Sequence, residues 1–562
     1  MTRASDYPPP FRTDEFVAPP TDPDDVRIDV GLLVVGAGPA GLACAVRFGQ
    51  LLADDPELAE ELGDVPLAVV EKGKQPGSHL LSGVIVNPRS LQSLFGDGFR
   101  VEDVPGYGKV EKESVYLLTH RRAWRIPTPP PMRNHGNFVS SLSQLGRWMA
   151  ERAEEGGAMI LPGTSARALL VDDGAVVGVR TGDKGRGAGG EELSNFEPGS
   201  DLVAKVTVLA EGTQGHLTGV ALDRFGLRSG DPQVWELGVK EVWKVRRPLR
   251  RIVHTLGWPL RPGAKYREFG GSFVYPMGDD MVAVGMVVGL DYRDAELSVH
   301  DLLQELKTHP LVREVLEGGE RLEWGAKTIP GGGFRSLPTR FHAPGLLLCG
   351  DGVGLVNVPT LKGVHYAIES GRLAAEAAYV AMKEGAERGT ALAGYDEALR
   401  SSFVWRDLRR VRDLRQVFGR GFLVGGALAA VMTATGGRIS LGRLPTEPDE
   451  AQPLLRTDRA ARYPDPDGQL TFDKLSSVFA SGNKTRDDQP NHIRLEQRVP
   501  ADVAQMWMRL CPAHVYDVGE VVDGLATVRI EPSNCVQCGA ISAKGGRLTP
   551  PEGGSGPEYT LS

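Results

Sequence analysis

Three glycines near the start of the chain have the spacing of a nucleotide-binding turn. Gly36, Gly38 and Gly41 form GAGPAG between the apolar run LLVV and a helical pattern. Such a turn needs glycine for its sharp bend, for close approach of a pyrophosphate and for packing of the helix on the strand. The helix N-terminus then offers free N–H groups to phosphate. Glu71 ends the next apolar run, where its carboxylate would accept hydrogen bonds from a ribose, so the sequence predicts a dinucleotide site.

A second glycine turn lies far downstream, where GDG follows the run GLLLC and precedes a long helical pattern. This arrangement resembles the glutathione-reductase-type FAD family. The resemblance implies that Asp351 holds the ribityl–phosphate chain and that a helix beginning near residues 361–363, with Gly363, directs its N–H groups at the flavin. Gly212, in the segment EGT, resembles a third FAD contact. Without the resemblance, Asp351 would be interpreted as a helix-capping or turn residue.

The composition excludes several classes of protein. The 562 residues are 41% hydrophobic and 24% charged, a globular balance with length for several domains at roughly 150 residues each. The net charge of −8 provides no basic surface for nucleic acid. No apolar run reaches the roughly 18 residues of a membrane-spanning helix. Residues 1–30 lack the apolar segment of a secretion signal. We therefore expect a cytosolic polypeptide that binds no nucleic acid.

Changes in periodicity divide the chain into segments. Alternating apolar residues from Trp235 to Leu290 predict an antiparallel sheet, and a helix is predicted from about Lys362 to Lys383. The predicted divisions are a flexible tail (1–28), the first part of an α/β nucleotide-binding domain (29–231), a sheet domain (232–337), the second part of the α/β domain (338–440) and a cysteine-bearing C-terminal domain (441–562).

Longer stretches resemble one family, the electron-transfer flavoprotein–ubiquinone oxidoreductases. They include EKGKQPGSHLLSGVIVNPRSL (71–91), FGGSFVYP (269–276) and GLVNVPTLKGVHYAIESGRLAAE (354–376). The resemblance implies an α/β, glutathione-reductase-type FAD-binding fold with an antiparallel quinone-binding sheet domain and a C-terminal ferredoxin-like cluster domain. It also implies that electrons pass from reduced electron-transfer flavoprotein through FAD and a 4Fe-4S cluster to membrane quinone.

Such electron transfer requires no nucleophile or general base, so no catalytic residue is assigned. The scattered histidines are predicted to be structural: His79, His135, His216, His254 and His365. The resemblance places the quinone head group at Gly270 and Gly271, where two glycines on a strand let a flat ring reach the backbone. It places residues 79–91 at the membrane-side mouth of the quinone tunnel. Without the resemblance, the glycine pair would indicate a β-bulge.

A basic segment precedes a short apolar stretch at 422–434, which has 13 residues. This is too short to cross about 30 Å of hydrocarbon. The pattern predicts monotopic attachment to the cytoplasmic face of the cell membrane, with arginines on anionic headgroups. The alternative is a buried glycine-rich helix with a solvated arginine face. The basic residues are Arg406, Arg409, Arg410, Arg412, Arg415 and Arg420.

The candidate metal ligands are Cys511, Cys535 and Cys538. Thiolates bind iron–sulfur clusters and structural zinc. The family has four cysteines in this region, but here the position three beyond Cys538 is Ile541. His514, where the family usually has glycine, would supply a fourth ligand. The alternatives are a 3Fe-4S cluster on three cysteines, an oxygen ligand such as Ser542, or a Cys3His zinc site.

Two other functions stay open at this point. One is an FAD-dependent reductase or hydroxylase of a lipid or aromatic substrate, which can share the fold, would oxidise NADPH and would not need the cysteines. The other is a non-enzymatic, membrane-docked protein with a zinc-stapled tail, which would contain no flavin.

Overall fold

The computed structural model of the chain describes residues 2–21, 27–83, 85–360, 362–385, 390, 392–438, 442 and 444–562. Leu361, at the predicted start of the long downstream helix, lies outside the described residues. The helix itself is described from Val364 to Lys383, close to the predicted bounds.

The strands, in chain order, are β1 (Val17–Ala18), β2 (Arg27–Val35), β3 (Leu67–Val70), β4 (Ile85–Val86), β5 (Gly108–Lys109), β6 (Glu113–Leu118), β7 (Ala123–Ile126), β8 (Phe138–Val139), β9 (Met159–Leu161), β10 (Ala166–Asp172), β11 (Ala175–Thr181), β12 (Lys184–Arg186), β13 (Glu192–Glu197), β14 (Asp201–Leu209), β15 (Trp235–Lys244), β16 (Ile252–Gly257), β17 (Gly270–Met277), β18 (Met281–Gly289), β19 (Glu320–Pro330), β20 (His342–Ala343), β21 (Leu346–Leu348), β22 (Ile493–Arg494), β23 (Arg498–Pro500), β24 (Tyr516–Val522), β25 (Leu525–Ile530) and β26 (Arg547–Leu548).

The α-helices are α1 (Pro39–Ala53), α2 (Pro56–Glu61), α3 (Arg89–Phe95), α4 (Leu142–Glu155), α5 (His216–Arg224), α6 (Val299–Lys307), α7 (Pro310–Leu316), α8 (Val364–Lys383), α9 (Ala393–Ser401), α10 (Phe403–Arg410), α11 (Phe422–Ala434), α12 (Lys474–Ala480), α13 (Ala501–Leu510) and α14 (Ala540–Ala543).

The first sheet is the α/β layer that the glycine turns predict. Its order is β1-β10-β11-β14-β2-β3-β9, with β21 beside β14 and β20 beside β21. The strands β9, β3, β2, β14 and β21 run parallel. All of β3 is buried, as expected for a parallel strand covered on both faces. Helices α1 and α8 pack on each other beside this sheet. The α/β prediction is confirmed.

The second sheet has the order β19-β15-β18-β17-β16-β6-β7 and is antiparallel apart from the β16–β6 pair. An antiparallel sheet was predicted over 232–337, but β6 and β7 belong to the preceding segment of the chain. Their pairing joins residues that are far apart in sequence, such as Val115 and His254, and local periodicity carries no information about such a pair.

The C-terminal region is not separate from the second sheet. One hydrophobic core contains Val239 of β15, Trp324 of β19 and Trp507 of α13, together with the buried cysteines of the C-terminal segment. The C-terminal region also forms the small sheets β23-β25-β24 and β22-β26. The boundary predicted near residue 441 therefore does not separate two hydrophobic cores.

The described part of the N-terminal segment differs from the predicted flexible tail. Phe16 is buried and stacks on Phe11, with ring centroids 5.4 Å apart. The strand that follows, Val17–Ala18, pairs in parallel with Leu169 and Leu170 of β10. The few apolar residues of this segment are buried one at a time and do not form one periodic face. Their pattern in the sequence therefore predicted an unstructured tail.

Candidate functional site

Four loops meet at one edge of the first sheet. The strands β2, β3, β14 and β21 end in register, since Val35 pairs with Val70 and with Leu209, and Leu209 pairs with Leu348. The carboxyl ends of parallel strands form the ligand crevice of such folds. A cavity of about 220 Å³ lies there. The predicted residues that line it are Gly36, Gly38, Glu71, Gly212 and Asp351. We call this space the flavin cavity.

The glycines of the first turn have different physical roles. A Cβ atom added to Gly41 would lie 1.9 Å from the carbonyl oxygen of Gly36, and one added to Gly36 would lie 2.5 Å from that of Ala210. A Cβ on Gly38 would contact only Leu80, at 3.7 Å. Gly36 and Gly41 are thus required by packing within the protein, and Gly41 does not line the cavity. Gly38 precedes α1, which no side chain caps, so its first N–H groups are left for a ligand.

Two carboxylates hold the loops around the cavity. Glu71 accepts hydrogen bonds from the backbone N–H of Ala37 at 2.9 Å and of Gly73 at 2.7 Å, which fixes the glycine turn. Glu211 caps α5 by accepting from the N–H groups of Leu217 and Thr218. Gly212, with φ of +74°, makes the turn between β14 and that helix. The ribose role of Glu71 stays a prediction.

The polar lining of the flavin cavity is incompletely satisfied by the protein. Among the residues described, Asp351 Oδ1, His79 Nδ1, Gln214 Nε2 and both ring nitrogens of His216 are buried without a hydrogen-bond partner. Burial raises the pKa of Asp351 to about 6. Unpaired buried polar atoms are costly unless a ligand engages them, so these residues fit a long polar ligand such as FAD. Gly363 does not line the cavity, although it immediately precedes α8, whose Val364 and Ala367 do.

Two lysines that the sequence analysis missed also line the flavin cavity, namely Lys72 and Lys327. Burial, with repulsion from Lys72, lowers the pKa of Lys327 to about 8. Its Nζ donates a hydrogen bond to the carbonyl oxygen of Gln537 at 3.2 Å. Lys327 lies on a strand of the second sheet, and Lys72 directly follows Glu71. Neither position gives a local signal of a ligand site, because only the fold brings both cations to one cavity.

The three candidate cysteines lie together beside the flavin cavity. Cys511, Cys535 and Cys538 line one small space, which we call the cysteine cavity. The backbone N–H of Ala513 donates to Cys511 Sγ, and that of Gln537 donates to Cys535 Sγ, each at 3.4 Å. Donors of this kind stabilise thiolates bound to a metal cluster.

The donor set suits a cluster better than a single ion. Within the part of the chain that the structure describes, no group of three or more His, Cys, Asp or Glu residues is placed to hold a metal ion. The three cysteines nevertheless line one cavity, so in the described residues they share a space without converging as the ligands of a single ion do. This geometry disfavours the Cys3His zinc site.

The structure does not bring His514 into the cysteine cavity. Its side chain is 42% exposed, and Nε2 lies 3.8 Å from Asp517 Oδ1. His514 has φ of +52°, in the left-handed region that non-glycine residues seldom adopt. Ser542 also does not line the cavity, and its Oγ accepts a hydrogen bond from the backbone N–H of Leu548 at 3.0 Å. His514 as a ligand stays a prediction, and its position in the structure does not support it.

A second large cavity, mostly apolar, lies at one edge of the second sheet. Gly270 and Gly271 line it, beside His254 and Phe273. The β16–β17 ladder ends at the Thr255–Ser272 pair, whereas both glycines still pair with β18. Their backbone edge toward β16 is thus left outside the ladder. We call this space the apolar cavity. In the described residues, the segment 79–91 does not line it, and His79 instead lines the flavin cavity.

Helix α11 forms one wall of the apolar cavity. Its residues Gly426, Ala429, Ala430, Thr433 and Ala434 face the cavity with helical spacing. On other faces, Val424 and Val431 are 54% and 52% exposed. In the described portion of the chain, no helix combines the length and apolarity that crossing a bilayer requires.

The arginines before α11 divide into two groups. Arg406, Arg409, Arg410 and Arg420 are exposed, whereas Arg412 is half-buried and donates to the carbonyl oxygens of Arg409 and Gly437. Arg415 is buried and forms an ion pair with Asp291 at 2.8 Å, so it does not belong to the predicted surface. Its charge was predicted to contact lipid because sequence spacing alone does not report the direction of a side chain.

Replacing Glu236 by glutamine is expected to flatten the pH dependence of stability. Burial raises the pKa of Glu236 from 4.5 to about 7, opposed by Arg415 and assisted by Asp291. The raised pKa contributes stability that is fully present below pH 4.5 and is lost as the pH rises through 7. The difference amounts to at most about 3 kcal/mol. Urea unfolding at pH 5 and pH 8 should therefore show a smaller change for Glu236→Gln than for the parent. An equal change in both would contradict the assignment.

Two family models match the chain. One, described as "ETF-QO, ubiquinone-binding", matches residues 235–329, which contain most of the second sheet. The other, described as "Electron transfer flavoprotein-ubiquinone oxidoreductase, 4Fe-4S", matches residues 468–560, which contain the three cysteines.

Whole-length relatives and one solved fold are also similar. The mitochondrial electron transfer flavoprotein-ubiquinone oxidoreductase of Oryza sativa is 38% identical, covering 94% of this chain and 92% of that protein. The Pseudomonas aeruginosa enzyme of the same name is 37% identical, covering 95% and 98%. A geranylgeranyl bacteriochlorophyll reductase-like protein from Thermoplasma acidophilum has a TM-score of 0.54 at 18% identity, covering 74% of this chain and 94% of its own, which supports the fold alone.

Proposed function

The chain belongs to the electron transfer flavoprotein–ubiquinone oxidoreductase family, and on that premise we propose that it passes electrons from reduced electron transfer flavoprotein, through FAD and an iron–sulfur cluster, to membrane quinone. The observation that carries this proposal is a shared wall: Gly539 and Leu548 line both the flavin cavity and the cysteine cavity. The two redox groups would therefore be neighbours within one polypeptide.

The flavin cavity is the FAD site. When bound, FAD and the cluster supply the electron-carrying chemistry, while the protein supplies binding, orientation and charge. The free N–H groups after Gly38 would hold the pyrophosphate, and Glu71 the ribose. Asp351 would accept a hydrogen bond from the ribityl chain through its unpaired Oδ1. Gly36 and Gly212 would let the turn backbones lie close to the ligand, Gly41 lets α1 pack on the glycine turn, and Gly363 precedes α8 beside the cavity.

Strand β19 joins the two redox sites. Thr328 donates through its N–H and its Oγ1 to the carbonyl oxygen of Cys538, at 2.8 and 2.9 Å. The neighbouring Lys327 lines the flavin cavity and donates to Gln537. A cation here would stabilise added electrons in either group, because nearby positive charge favours the more negative state.

Replacing Lys327 by glutamine is expected to lower the midpoint potentials of the bound redox groups. Removing one nearby positive charge should lower a midpoint potential by roughly 60 mV, which corresponds to a tenfold change in the equilibrium constant of a one-electron couple. Spectroscopic redox titration measures the shift. Lys327→Arg keeps the charge and should retain the parent potentials, whereas unchanged potentials in Lys327→Gln would contradict the role.

The apolar cavity is the quinone site. Its walls suit a hydrophobic molecule. The backbone edge of Gly270 and Gly271 lies outside the β16–β17 ladder, and this edge would bind the carbonyl oxygens of a quinone. The two sites are close along the chain, since Val358 lines the apolar cavity and Val364 lines the flavin cavity.

The exposed valines of α11 and the exposed arginines before it form a membrane-contact surface. Quinone is dissolved in lipid, and α11 lines the apolar cavity on one face while it exposes Val424 and Val431 on another. We assign peripheral, monotopic attachment to the cytoplasmic face of the cell membrane, where anionic headgroups would attract Arg406, Arg409, Arg410 and Arg420.

The double substitution Val424→Asp with Val431→Asp is expected to weaken binding to vesicles containing anionic lipid by at least about tenfold, because charge resists burial at the acyl boundary. Co-sedimentation with the vesicles measures this. Phe479→Asp on α12 is the matched control, since Phe479 is 88% exposed and lies outside the contact surface. Equal loss of binding in the control would contradict the assigned surface.

The function itself is tested by isolating the protein from membranes, measuring FAD, iron and sulfide, and assaying reduction of a soluble quinone analogue by reduced electron transfer flavoprotein. We expect all three components and turnover. NADPH oxidation with a lipid or aromatic substrate, and none with the flavoprotein, would support the reductase alternative. Protein without flavin would defeat both enzyme functions.

A further inference from the structure

The cysteine content of this chain limits the ligands available to its cluster. The sequence has five cysteines, and two of them, Cys44 and Cys349, are buried in the core around the first sheet. The remaining three line the cysteine cavity. A four-iron cluster ordinarily takes four thiolates, one on each iron. One corner of such a cluster would therefore have no cysteine in this protein.

The rest of the cysteine cavity offers that corner almost no donor. Ile541, three positions beyond Cys538, is buried and lines the cavity. Gly546 packs closely against its Cγ1, so the side chain has little room to leave. Tyr516 brings one phenol. The other lining residues are Leu510, Ala513, Val515, Val536, Gly539, Ala540 and Leu548.

The two side chains nearest in sequence are directed elsewhere. The His514 side chain is partly exposed beside Asp517, and Ser542 Oγ accepts a hydrogen bond from the backbone of Leu548. Neither can reach the cavity without a change of backbone or loss of its present contact.

We propose that Cys511, Cys535 and Cys538 are the protein ligands of a three-iron, four-sulfide cluster, and that the corner facing Ile541 holds no iron. This rests on the proposed function, because it concerns the cluster of that electron path. The family model that covers this region describes a 4Fe-4S domain, so the inference separates this chain from that description.

The electron count makes the two cluster types distinguishable. An oxidised three-iron cluster contains three ferric ions, each with an odd number of d electrons, so its total spin is half-integer and gives an EPR signal. An oxidised four-iron cluster with two ferric and two ferrous ions has an even count and a silent ground state. Reduction by one electron reverses the two cases.

The experiment is anaerobic isolation of the full-length protein with FAD bound, followed by iron and sulfide analysis and EPR before and after dithionite. We expect three irons and four sulfides per FAD, with an EPR signal in the oxidised protein. Four irons, a silent oxidised state and a signal only after reduction would overturn the inference.

Ile541→Cys supplies the missing thiolate at the apolar corner. This variant should hold four irons, lose the oxidised EPR signal and gain one on reduction. Ser542→Cys is the matched control, because it adds a thiol at the next residue, outside the cavity, and should keep three irons. If Ile541→Cys also keeps three irons, the assigned corner is wrong.

Two further outcomes separate this inference from the proposed function. If the parent has four irons and Tyr516→Phe loses one, the phenol is the fourth ligand and the inference fails, while electron transfer to quinone stands. Zinc without sulfide would defeat both the inference and the cluster in the electron path.

Discussion

Replacing Gly41 by alanine is expected to yield a protein that retains little FAD. The added Cβ would lie 1.9 Å from the carbonyl oxygen of Gly36, a backbone atom that cannot rotate away. Overpacking of this kind costs about 1–3 kcal/mol or more, and α1 must shift from β2 to relieve it. We expect FAD affinity to fall roughly tenfold to hundredfold and the apoprotein to lose stability. Flavin absorbance per protein and thermal unfolding measure the two effects.

Gly38→Ala is the matched variant in the same turn. Its Cβ would contact only Leu80 at 3.7 Å, so the apoprotein should unfold as the parent does. FAD binding should still weaken, because the methyl group occupies space beside the N-terminus of α1. Full FAD content in Gly38→Ala, or parent stability in Gly41→Ala, would contradict the separate roles.

Replacing Thr433 by tryptophan is expected to block the quinone site. Thr433 faces the apolar cavity from α11, and an indole there would occupy the space of a quinone ring. We expect KM for a soluble quinone analogue to rise at least about tenfold, while flavin reduction by electron transfer flavoprotein keeps its rate. Steady-state assays with quinone and stopped-flow flavin reduction separate the two steps.

Ala427→Trp is the control on the same helix. Ala427 is exposed and does not line the apolar cavity. The control should retain the parent KM for quinone, although the larger side chain alters the membrane-contact surface. A similar rise of KM in both variants would show that bulk on α11, rather than filling of the cavity, causes the effect.

The flavin cavity was largely predictable because its residues follow short, strongly apolar strands. The run at Leu67–Val70 forms a strand with those bounds, and Gly36, Glu71 and Asp351 each follow a strand end. Chain order together with a parallel sheet is enough to bring such residues to one edge. The positions of individual ligand contacts were not predictable, and they stay proposals.

The features that were missed all depend on side-chain direction or on distant pairing. Arg415 belongs to a basic run but turns into a buried pair with Asp291, while His514 turns outward from the cysteines. Lys327 reaches the flavin cavity from a strand that the sequence assigned to another domain. Local periodicity describes neither a rotamer nor a partner far along the chain.

The continuous core that joins Val239, Trp324 and Trp507 has a consequence for how the molecule denatures. Groups that share one core lose their packing together, so we expect the C-terminal region and the second sheet to melt in a single cooperative event. A cell could not remove oxidative damage at the cysteines by unfolding and refolding that region alone. Loss of the inorganic group would instead lower the thermal resistance of the quinone-binding half of the molecule.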